Sequence, residues 1–304
     1  MRRIKEELKI KNYKIVTYLW LNDNIKEKGV IQIFHGMAEH ILRYEPFIEK
    51  LTEEGYIVIG HDHVAHGAST QKNLIGIIEK KDFMTEVLDV CKAVHDHYQN
   101  RFIKGCTYLF AHSMGSMAAS RYIEIYPDDF DKVILSGCDI SSIKYSFGAK
   151  VFKWLMNKHG EISYPKLLHE LTMKPFNQKF KTDHPEYGWL SANIENIKKY
   201  EDDSWCGAKF PTNYYYSLAT LLCEAGKKEN LQSINGALKI MLITGKDDPV
   251  TNYSKSTVQL HKRFKKLGLD VITEIYYNAR HEVLNEKNEI RLLAISDIIY
   301  FYNK

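Results

Sequence analysis

Seven short, largely apolar runs alternate along the chain with longer segments of helical periodicity. Because the apolar residues in these runs are continuous rather than alternating, each run is typical of a strand that is buried on both faces. Strands of this kind, separated by helices, favour an α/β fold built on a mostly parallel, doubly wound sheet. The predicted strands are residues 15–21, 29–35, 56–61, 107–111, 132–136, 239–244 and 271–277.

One long segment, residues 141–235, interrupts this alternation. It has no strong strand pattern, yet it holds three of the four tryptophans of the chain. We therefore expect residues 1–140 and 236–304 to form the α/β core, and residues 141–235 to form a helical insertion. The helices predicted in the core are residues 82–100, 114–126, 254–267 and 284–302.

The predicted strand at 107–111 ends in a serine motif that leads directly into a predicted helix. Residues 111–116 read AHSMGS, and Ser113 lies where the strand turns into the helix. This arrangement is typical of a nucleophile elbow, in which a strained turn exposes the serine Oγ and small neighbours let strand and helix approach closely. The usual pattern is G-x-S-x-G, and Ala111 replaces its first glycine. Ser113 is therefore the candidate nucleophile.

The groups that would activate a nucleophilic serine follow other predicted strands. His281 comes after the last strand, beyond an aspartate pair, Asp247 and Asp248, that follows the strand at 239–244. Asp139, after the strand at 132–136, is a further candidate for the acid. Open α/β sheets collect their catalytic groups beyond the carboxyl ends of the strands. The chain order serine, acid, histidine is one of the known orders of a catalytic triad.

Three motifs together carry a family resemblance. They are HGMAEH at 35–40 followed by Arg43 and Tyr44, DHVAHGAS at 62–69, and HSMGS at 112–116. With these motifs the chain resembles the monoacylglycerol lipase and lysophospholipase branch of the α/β-hydrolases, over nearly its whole length outside residues 141–235. Two departures are Ala65, where the family loop often has glycine, and Ala111 in the elbow. Both keep a small side chain, so neither threatens the chemistry.

The resemblance implies the α/β-hydrolase fold and a Ser-His-Asp triad. It implies Ser113 as nucleophile and His281 as general base, with Asp248 as the acid because the family pattern places the acid three residues after a glycine. It further implies that the backbone N–H groups of Met37 and Met114 form the oxyanion hole, in which they would bind the charge that develops on the substrate oxygen.

The same resemblance implies a substrate class. Esters of single-chain lipids, either monoacylglycerols or lysophospholipids, would be cleaved through an acyl-enzyme without a cofactor. A general short-chain carboxylesterase is the nearest alternative, and an acyltransferase or a ligand-binding α/β-hydrolase is more remote. The family uses the insertion as a cap, or lid, so the substrate-binding residues are expected within 141–235. This segment has 13 lysines against 10 acidic residues, and peripheral contact with a membrane or micelle surface is a further expectation.

A group of histidines after the predicted strand at 56–61 suggests a different chemistry. His61, Asp62, His63 and His66 could ligate a metal that activates water. The H-x-H-x-D-H spacing of metallo-β-lactamase-like sites is absent, however, and the same residues can fix the turn after a core strand. We therefore expect a structural role and no metal. Other polar residues are likewise expected to brace the loop that carries Met37 rather than to contact substrate: Glu39, His40, Arg43 and Tyr44.

The composition argues against several other classes of protein. The formal net charge is +4 with a pI near 8.5, and no segment concentrates lysine and arginine, so nucleic-acid binding is not expected. No run approaches the roughly 20 apolar residues of a membrane span, and the first apolar run is too short for a signal peptide. A cytoplasmic protein is therefore expected. The five cysteines form no C-x-x-C pair, so reduced thiols are expected.

Overall fold

The computed structural model describes residues 1–78, 82–101, 105–180, 184 and 186–304. These residues contain one eight-stranded sheet with the order β1-β2-β4-β3-β5-β6-β7-β8. The strands are β1 (Arg2–Ile10), β2 (Tyr13–Leu21), β3 (Gly29–Phe34), β4 (Tyr56–His61), β5 (Thr107–His112), β6 (Lys132–Ser136), β7 (Lys239–Gly245) and β8 (Asp270–Tyr276). β1 and β2 pair antiparallel, β2 also runs antiparallel to β4, and the strands from β4 to β8 are parallel. This is the mostly parallel sheet predicted from the sequence.

The central strands are apolar throughout because both faces of the sheet are covered. In β3, Val30 and Phe34 pack into one hydrophobic core, whereas Ile31 and Ile33 pack into a second core on the opposite face. Successive side chains of a strand point to opposite faces, so continuous rather than alternating apolar residues are needed here.

Helices flank both faces of the sheet. The α-helices within the described residues are α1 (Glu45–Glu53), α2 (Phe83–His97), α3 (Met114–Ile125), α4 (Ser142–His159), α5 (Lys166–Thr172), α6 (Ile194–Asp202), α7 (Thr212–Ala225), α8 (Lys228–Leu231), α9 (Lys255–Lys266) and α10 (Asn288–Asn303). Residues of α1 and α10 belong to one core, and residues of α2, α3 and α9 belong to the other. The layered arrangement is that of a doubly wound α/β fold.

Five of these helices, α4 to α8, lie between β6 and β7 in the chain. Of them, α4 packs along α7, and α7 in turn contacts α2 and α3 of the core. The described part of residues 141–235 contains helices and turns but no strand. Helices α4 and α7 therefore lie on the same side of the sheet as α2 and α3.

All seven predicted strands are present, and the four predicted helices correspond to α2, α3, α9 and α10. β1 and α1 were not predicted from the sequence. β1 is an edge strand whose exposed positions are charged, so it lacks the continuous apolar pattern of a buried strand. Helix α1 is short, and only one face of it is buried.

Candidate active site

Ser113 lies between β5 and α3 in a backbone conformation that side-chain-bearing residues rarely adopt. Its φ is 52° and its ψ is −121°, and its N–H donates to the Ser136 carbonyl oxygen of β6 at 2.8 Å. Two residues later, a Cβ on Gly115 would lie 2.3 Å from the Phe34 carbonyl oxygen of β3. The second glycine of the elbow motif is therefore required by close packing, whereas Ala111 fits in the regular part of β5.

The structure brings Ser113, His281 and Asp248 into one hydrogen-bonded chain. His281 Nε2 lies 2.8 Å from Ser113 Oγ, and His281 Nδ1 lies 3.0 Å from Asp248 Oδ1. The same Asp248 oxygen accepts a hydrogen bond from the Val250 N–H at 2.9 Å. With a proton on Nδ1 donated to the carboxylate, the lone pair of Nε2 faces the serine hydroxyl. This is the arrangement in which imidazole can take the proton of a serine.

The three candidate acids have different surroundings. Asp248 is completely buried, whereas Asp247 is exposed. Asp139 is buried but accepts hydrogen bonds from Tyr145 Oη and Lys144 Nζ. Among the described residues, Asp248 is the only one of the three aspartates that hydrogen-bonds to His281.

His281 is buried in surroundings that favour its protonated form. Burial lowers the pKa of His281, but the charge and the hydrogen bond of Asp248 outweigh it, so that the pKa lies above its ordinary value. The His112 ring lies 4.7 Å from the His281 ring, and burial together with the nearby His281 lowers the pKa of His112 to about 3. His112 is therefore neutral at physiological pH, and it does not compete with His281 for a proton.

Two rings that pack against His281 were not predicted from the sequence. They are His112 and Trp189, whose ring centroid lies 5.1 Å from that of His281. The position of His112 directly before Ser113 was the available signal for the first. For Trp189 the only signal was the aromatic richness of the insertion.

Met37 and Met114 present backbone N–H groups next to the serine. Met114 is the first residue of α3, so its N–H is one of the helix N-terminal donors without an intrahelical acceptor. Met37 follows Gly36, where a Cβ would lie 3.2 Å from Ser113 Cβ. No described residue accepts a hydrogen bond from either N–H group. Both N–H groups are thus without a partner among the described residues, and their use as an oxyanion hole stays a prediction.

Two cavities meet at Ser113. One, with a volume of about 470 Å³, is lined by His281, Glu282 and the oxyanion loop, which we define as residues 36–39. The other, of about 930 Å³, is lined by Met114 and Met117 and by helices of the insertion. Ser113 therefore lies between a smaller space on the histidine side and a larger space on the α3 side.

The histidines at the end of β4 and just after it form a buried network with His35, immediately before the oxyanion loop. The His63 N–H donates to His35 Nε2 at 2.9 Å, and His63 Nε2 lies 3.1 Å from the His35 carbonyl oxygen. His63 Nδ1 therefore carries the lone pair that accepts from His61 Nε2, 3.1 Å away. Asp62 accepts hydrogen bonds from the Ile41 and Ala68 N–H groups. The hydrogen bonds of His35, His63 and Asp62 thus fix the backbone of the turn that follows β4.

One part of this network, His61, His63 and Cys91, places three atoms of metal-ligating type within 4.8 Å of one another. Ligation through His61 Nε2 would move its proton to Nδ1, which is buried without a hydrogen-bond partner. An unpaired buried donor carries a substantial free-energy cost. The residues therefore fit a network of neutral imidazoles better than a metal site. His40, Asp203 and Cys206 form a second such group, in which His40 and Asp203 already hydrogen-bond to each other at 2.8 Å.

Two further properties concern the cysteines and the helices. All five cysteines are free thiols, as the sequence predicted. Among the described residues, no helix combines the length and the apolar character that crossing a membrane requires.

The sheet order, the strained serine after β5 and the buried histidine and aspartate define the α/β-hydrolase class. A family model described as serine aminopeptidase, S33 matches residues 25–288. The chain belongs to this family, within the monoacylglycerol lipase and lysophospholipase branch of the α/β-hydrolases.

Individual relatives agree with this placement at modest identity. The monoacylglycerol lipase of Mycolicibacterium smegmatis is 29% identical over 126 residues, which are 41% of this chain and 42% of the relative. The chain thus spans about two fifths of the length of that relative. A probable lysophospholipase L2 of Haemophilus influenzae is 20% identical over 303 residues, covering 89% of this chain and 82% of the relative.

Solved structures share the fold over the whole chain. A thermostable carboxyl esterase from Bacillus coagulans, solved in complex with glycerol, superposes with a TM-score of 0.87 at 22% identity. The alignment covers 100% of this chain and 98% of the esterase. At this identity the likeness concerns the fold alone.

Proposed function

We propose that this protein hydrolyses carboxylic esters through an acyl-enzyme on Ser113. The observation that carries the proposal is the hydrogen-bonded chain from Ser113 Oγ through His281 to the buried Asp248. A serine hydroxyl is a weak nucleophile at neutral pH and needs an adjacent base. His281 Nε2, at 2.8 Å, is that base.

In the acylation step Ser113 Oγ attacks the ester carbonyl carbon while His281 takes the serine proton. The Met37 and Met114 N–H groups bind the oxyanion of the tetrahedral intermediate. In other serine hydrolases one such donor contributes about 3 kcal/mol to the stability of the transition state. Asp248 holds the imidazole in the required tautomer and stabilises the imidazolium.

The intermediate collapses when the bond to the alcohol breaks. His281 returns its proton to the leaving alcohol, so the leaving group departs on the side of the cavity that His281 lines. Water then takes the place of the alcohol and attacks the carbonyl carbon of the acyl-enzyme, while His281 takes a proton from the water. His281 returns this proton to Ser113 Oγ as the bond to the acyl group breaks, which releases the acid and regenerates Ser113.

We propose that the substrates are esters of single-chain lipids, monoacylglycerols or lysophospholipids. The larger cavity, of about 930 Å³, would hold the acyl chain, because Met114, Met117 and Leu222 line it. The smaller cavity, of about 470 Å³, would hold the head group beside His281. The names of the relatives, a monoacylglycerol lipase and a probable lysophospholipase, support this substrate class.

The helical insertion, residues 141–235, is in this proposal the cap that determines selectivity. Leu168 and Tyr187 of the insertion line the smaller cavity, and Phe152 and Leu222 line the larger one. We further propose that its first helix, α4, makes peripheral contact with lipid surfaces. This helix exposes large apolar side chains among several lysines.

The test is hydrolysis of a panel of esters by the wild-type protein and by Ser113→Ala. The panel contains monoacylglycerols, lysophosphatidylcholines, short-chain p-nitrophenyl esters and an aminoacyl p-nitroanilide. We expect turnover of the lipid esters, reduced at least 10⁴-fold in Ser113→Ala because the nucleophile is lost. Ser233→Ala, which changes an exposed serine, is the matched control.

The alternatives give different results in the same assay. A preference for short p-nitrophenyl esters would indicate a general carboxylesterase, and cleavage of the anilide would indicate a peptidase. Turnover that persists in Ser113→Ala and disappears with a chelator would contradict the serine mechanism in favour of a metal site.

A further inference from the structure

Arg43 lies between two loops of the candidate active site and bonds to a carboxylate on each. Its guanidinium donates to Glu282 Oε1 at 2.8 Å through Nη1 and to Glu282 Oε2 at 2.7 Å through Nη2. Nη1 also donates to Glu39 Oε2. The side chains of all three residues are at most 9% exposed. One buried cation therefore joins two buried anions that lie far apart in the chain.

The first carboxylate holds the oxyanion loop. Glu39 Oε1 accepts hydrogen bonds from the Gly36 N–H at 2.5 Å and from Tyr44 Oη at 2.8 Å. Gly36 immediately precedes Met37, whose N–H is proposed to bind the oxyanion. The position of Glu39 therefore determines where that N–H lies relative to Ser113.

The second carboxylate belongs to the residue that follows His281. The Glu282 N–H donates to the Leu190 carbonyl oxygen at 2.7 Å, and Glu282 Oε2 also accepts from Asn196 Nδ2 at 2.8 Å. Burial disfavours the charged form of Glu282, but Arg43 outweighs it and lowers the pKa of Glu282 to about 2. The carboxylate is therefore ionised at physiological pH, where it pairs with the Arg43 guanidinium.

The guanidinium also contacts the helical insertion. It lies over the Tyr200 ring, 4.8 Å from the centroid, and Tyr200 Oη donates to the Ala38 carbonyl oxygen of the oxyanion loop at 2.9 Å. Asn196 and Tyr200 are both on α6. Arg43 thus connects three separate segments: the oxyanion loop, the loop of His281 and α6.

Stability alone gives little reason for this network. Removing charges from water costs as much free energy as a buried ion pair recovers, and apolar replacements of buried ion triads can be neutral or stabilising. What a forked guanidinium provides is geometry, because its donors lie in one plane at fixed spacing and a lysine cannot reproduce them.

We propose that Arg43 is a positioning residue. It holds the Met37 N–H of the oxyanion hole and the His281 ring in fixed positions relative to each other. This inference rests on the proposed ester hydrolysis. Because Arg43 does not contact the reacting atoms, its loss would leave substrate binding nearly unchanged and slow the chemical steps. A displacement of about 1 Å in such a site lowers the rate on the order of 100-fold.

The test compares kcat and KM for a p-nitrophenyl ester in the wild-type protein, Arg43→Gln and Arg43→Lys. Active sites are counted by titration with a fluorophosphonate, so that misfolded protein does not enter kcat. We expect kcat per titrated site to fall about 100-fold in Arg43→Gln and about 10-fold in Arg43→Lys, with KM changed less than 3-fold. Affinity for a boronic acid, which forms a tetrahedral adduct on serine, should fall in parallel. Arg291→Gln, on the exposed face of α10, is the matched control.

A second variant covers the case in which Arg43→Gln does not fold. Glu39→Gln, Arg43→Met and Glu282→Gln together remove all three charges, so no charge is left unpaired. If the network only stabilises the fold, this triple variant will have wild-type kcat per titrated site, and the positioning role is overturned. Low kcat with KM changed less than 3-fold in a folded triple variant supports it, whereas a rise in KM with wild-type kcat would show that Glu39 and Glu282 act only as lining of the cavity. A wild-type protein that hydrolyses no ester would overturn the proposed function itself, and the positioning role with it.

Discussion

At the scale of single residues, adjacent side chains of the same type have different roles because one is buried and the other is not. Asp247 and Asp248 follow β7 together, but Asp247 is exposed and Asp248 is completely buried beside His281. From the sequence, the choice between them depended on the family pattern. In the structure, burial and the 3.0 Å contact with His281 Nδ1 distinguish them.

The charge of Asp248 is predicted to determine the pH dependence of catalysis. His281 must be neutral to accept the serine proton, and its pKa is raised above the ordinary value, so kcat/KM of the wild-type protein falls as the pH drops through that raised pKa. Asp248→Asn removes the charge that favours the imidazolium. We therefore expect the acid limb of the pH profile to move to lower pH, and kcat to fall by roughly 10³- to 10⁴-fold.

The measurement is kcat/KM for a p-nitrophenyl ester between pH 5 and 9. Asp247→Asn is the matched control, because it removes the same charge from the neighbouring, exposed position. An acid limb that stays in place in Asp248→Asn would show that another group controls the protonation of His281.

At the scale of elements, the strands were easier to predict than the helices that cover them. Each central strand is buried on both faces, which forces a continuous apolar run that is visible in the sequence. β1 and α1 bury only one side, so their patterns are weaker. The ends of the strands could also be placed, and with them Ser113, Asp248 and His281, because catalytic groups follow strand ends in this type of sheet.

Helix α4 of the insertion carries a prediction about lipid surfaces. Ile143 and Phe147, one helical turn apart, are 86% and 71% exposed, and Trp154 is 51% exposed. The same helix contains four lysines, which attract anionic head groups. Burying one phenylalanine contributes about 1.5–3 kcal/mol. We therefore expect Phe147→Ser to weaken binding to anionic phosphatidylglycerol vesicles about tenfold or more.

Vesicle sedimentation at two salt concentrations measures this binding. The rate on a water-soluble p-nitrophenyl ester should be unchanged in Phe147→Ser, because Phe147 is not among the residues that line the two cavities. Leu292→Ser is the matched control, since Leu292 is 52% exposed on α10, on the opposite face of the sheet. Equal loss of binding in both variants would contradict a specific role for α4.

At the scale of the whole molecule, contacts between segments that are distant in the chain could not be predicted from the sequence. Arg43 and Glu282 are 239 residues apart. The sequence suggested that Arg43 braces the loop after β3, but no pattern linked it to Glu282. The two cavities likewise depend on how the insertion packs over the core. Local patterns determine where strands end, but the arrangement of loops and insertion depends on tertiary packing that no local pattern encodes.

The buried histidines give the whole molecule a predicted sensitivity to acid. Burial lowers the pKa of His61 and His112 to about 3 and that of His66 to about 4. In the unfolded chain these groups titrate near their ordinary value of about 6.5. Below that pH the unfolded state binds protons that the folded state excludes, so the free energy of unfolding decreases as the pH falls from about 6.5 towards 4. Each such histidine contributes about 1.4 kcal/mol per pH unit to this decrease.

Urea unfolding at pH 7, 6 and 5 measures this loss, and one histidine can be isolated by substitution. His66 Nδ1 donates to the Val64 carbonyl oxygen, a bond that the amide of His66→Asn can replace. The variant should be less stable than the wild type at pH 7, because the contact of the His66 ring with Phe210 is lost. On acidification, however, its free energy of unfolding should decrease by about 1.4 kcal/mol less per pH unit than that of the wild type. His159→Asn, at an exposed position, should leave the slope unchanged. If His66→Asn and the wild type lose the same free energy between pH 6 and 5, then His66 takes up its proton in the folded protein, and the prediction that it stays neutral there is wrong.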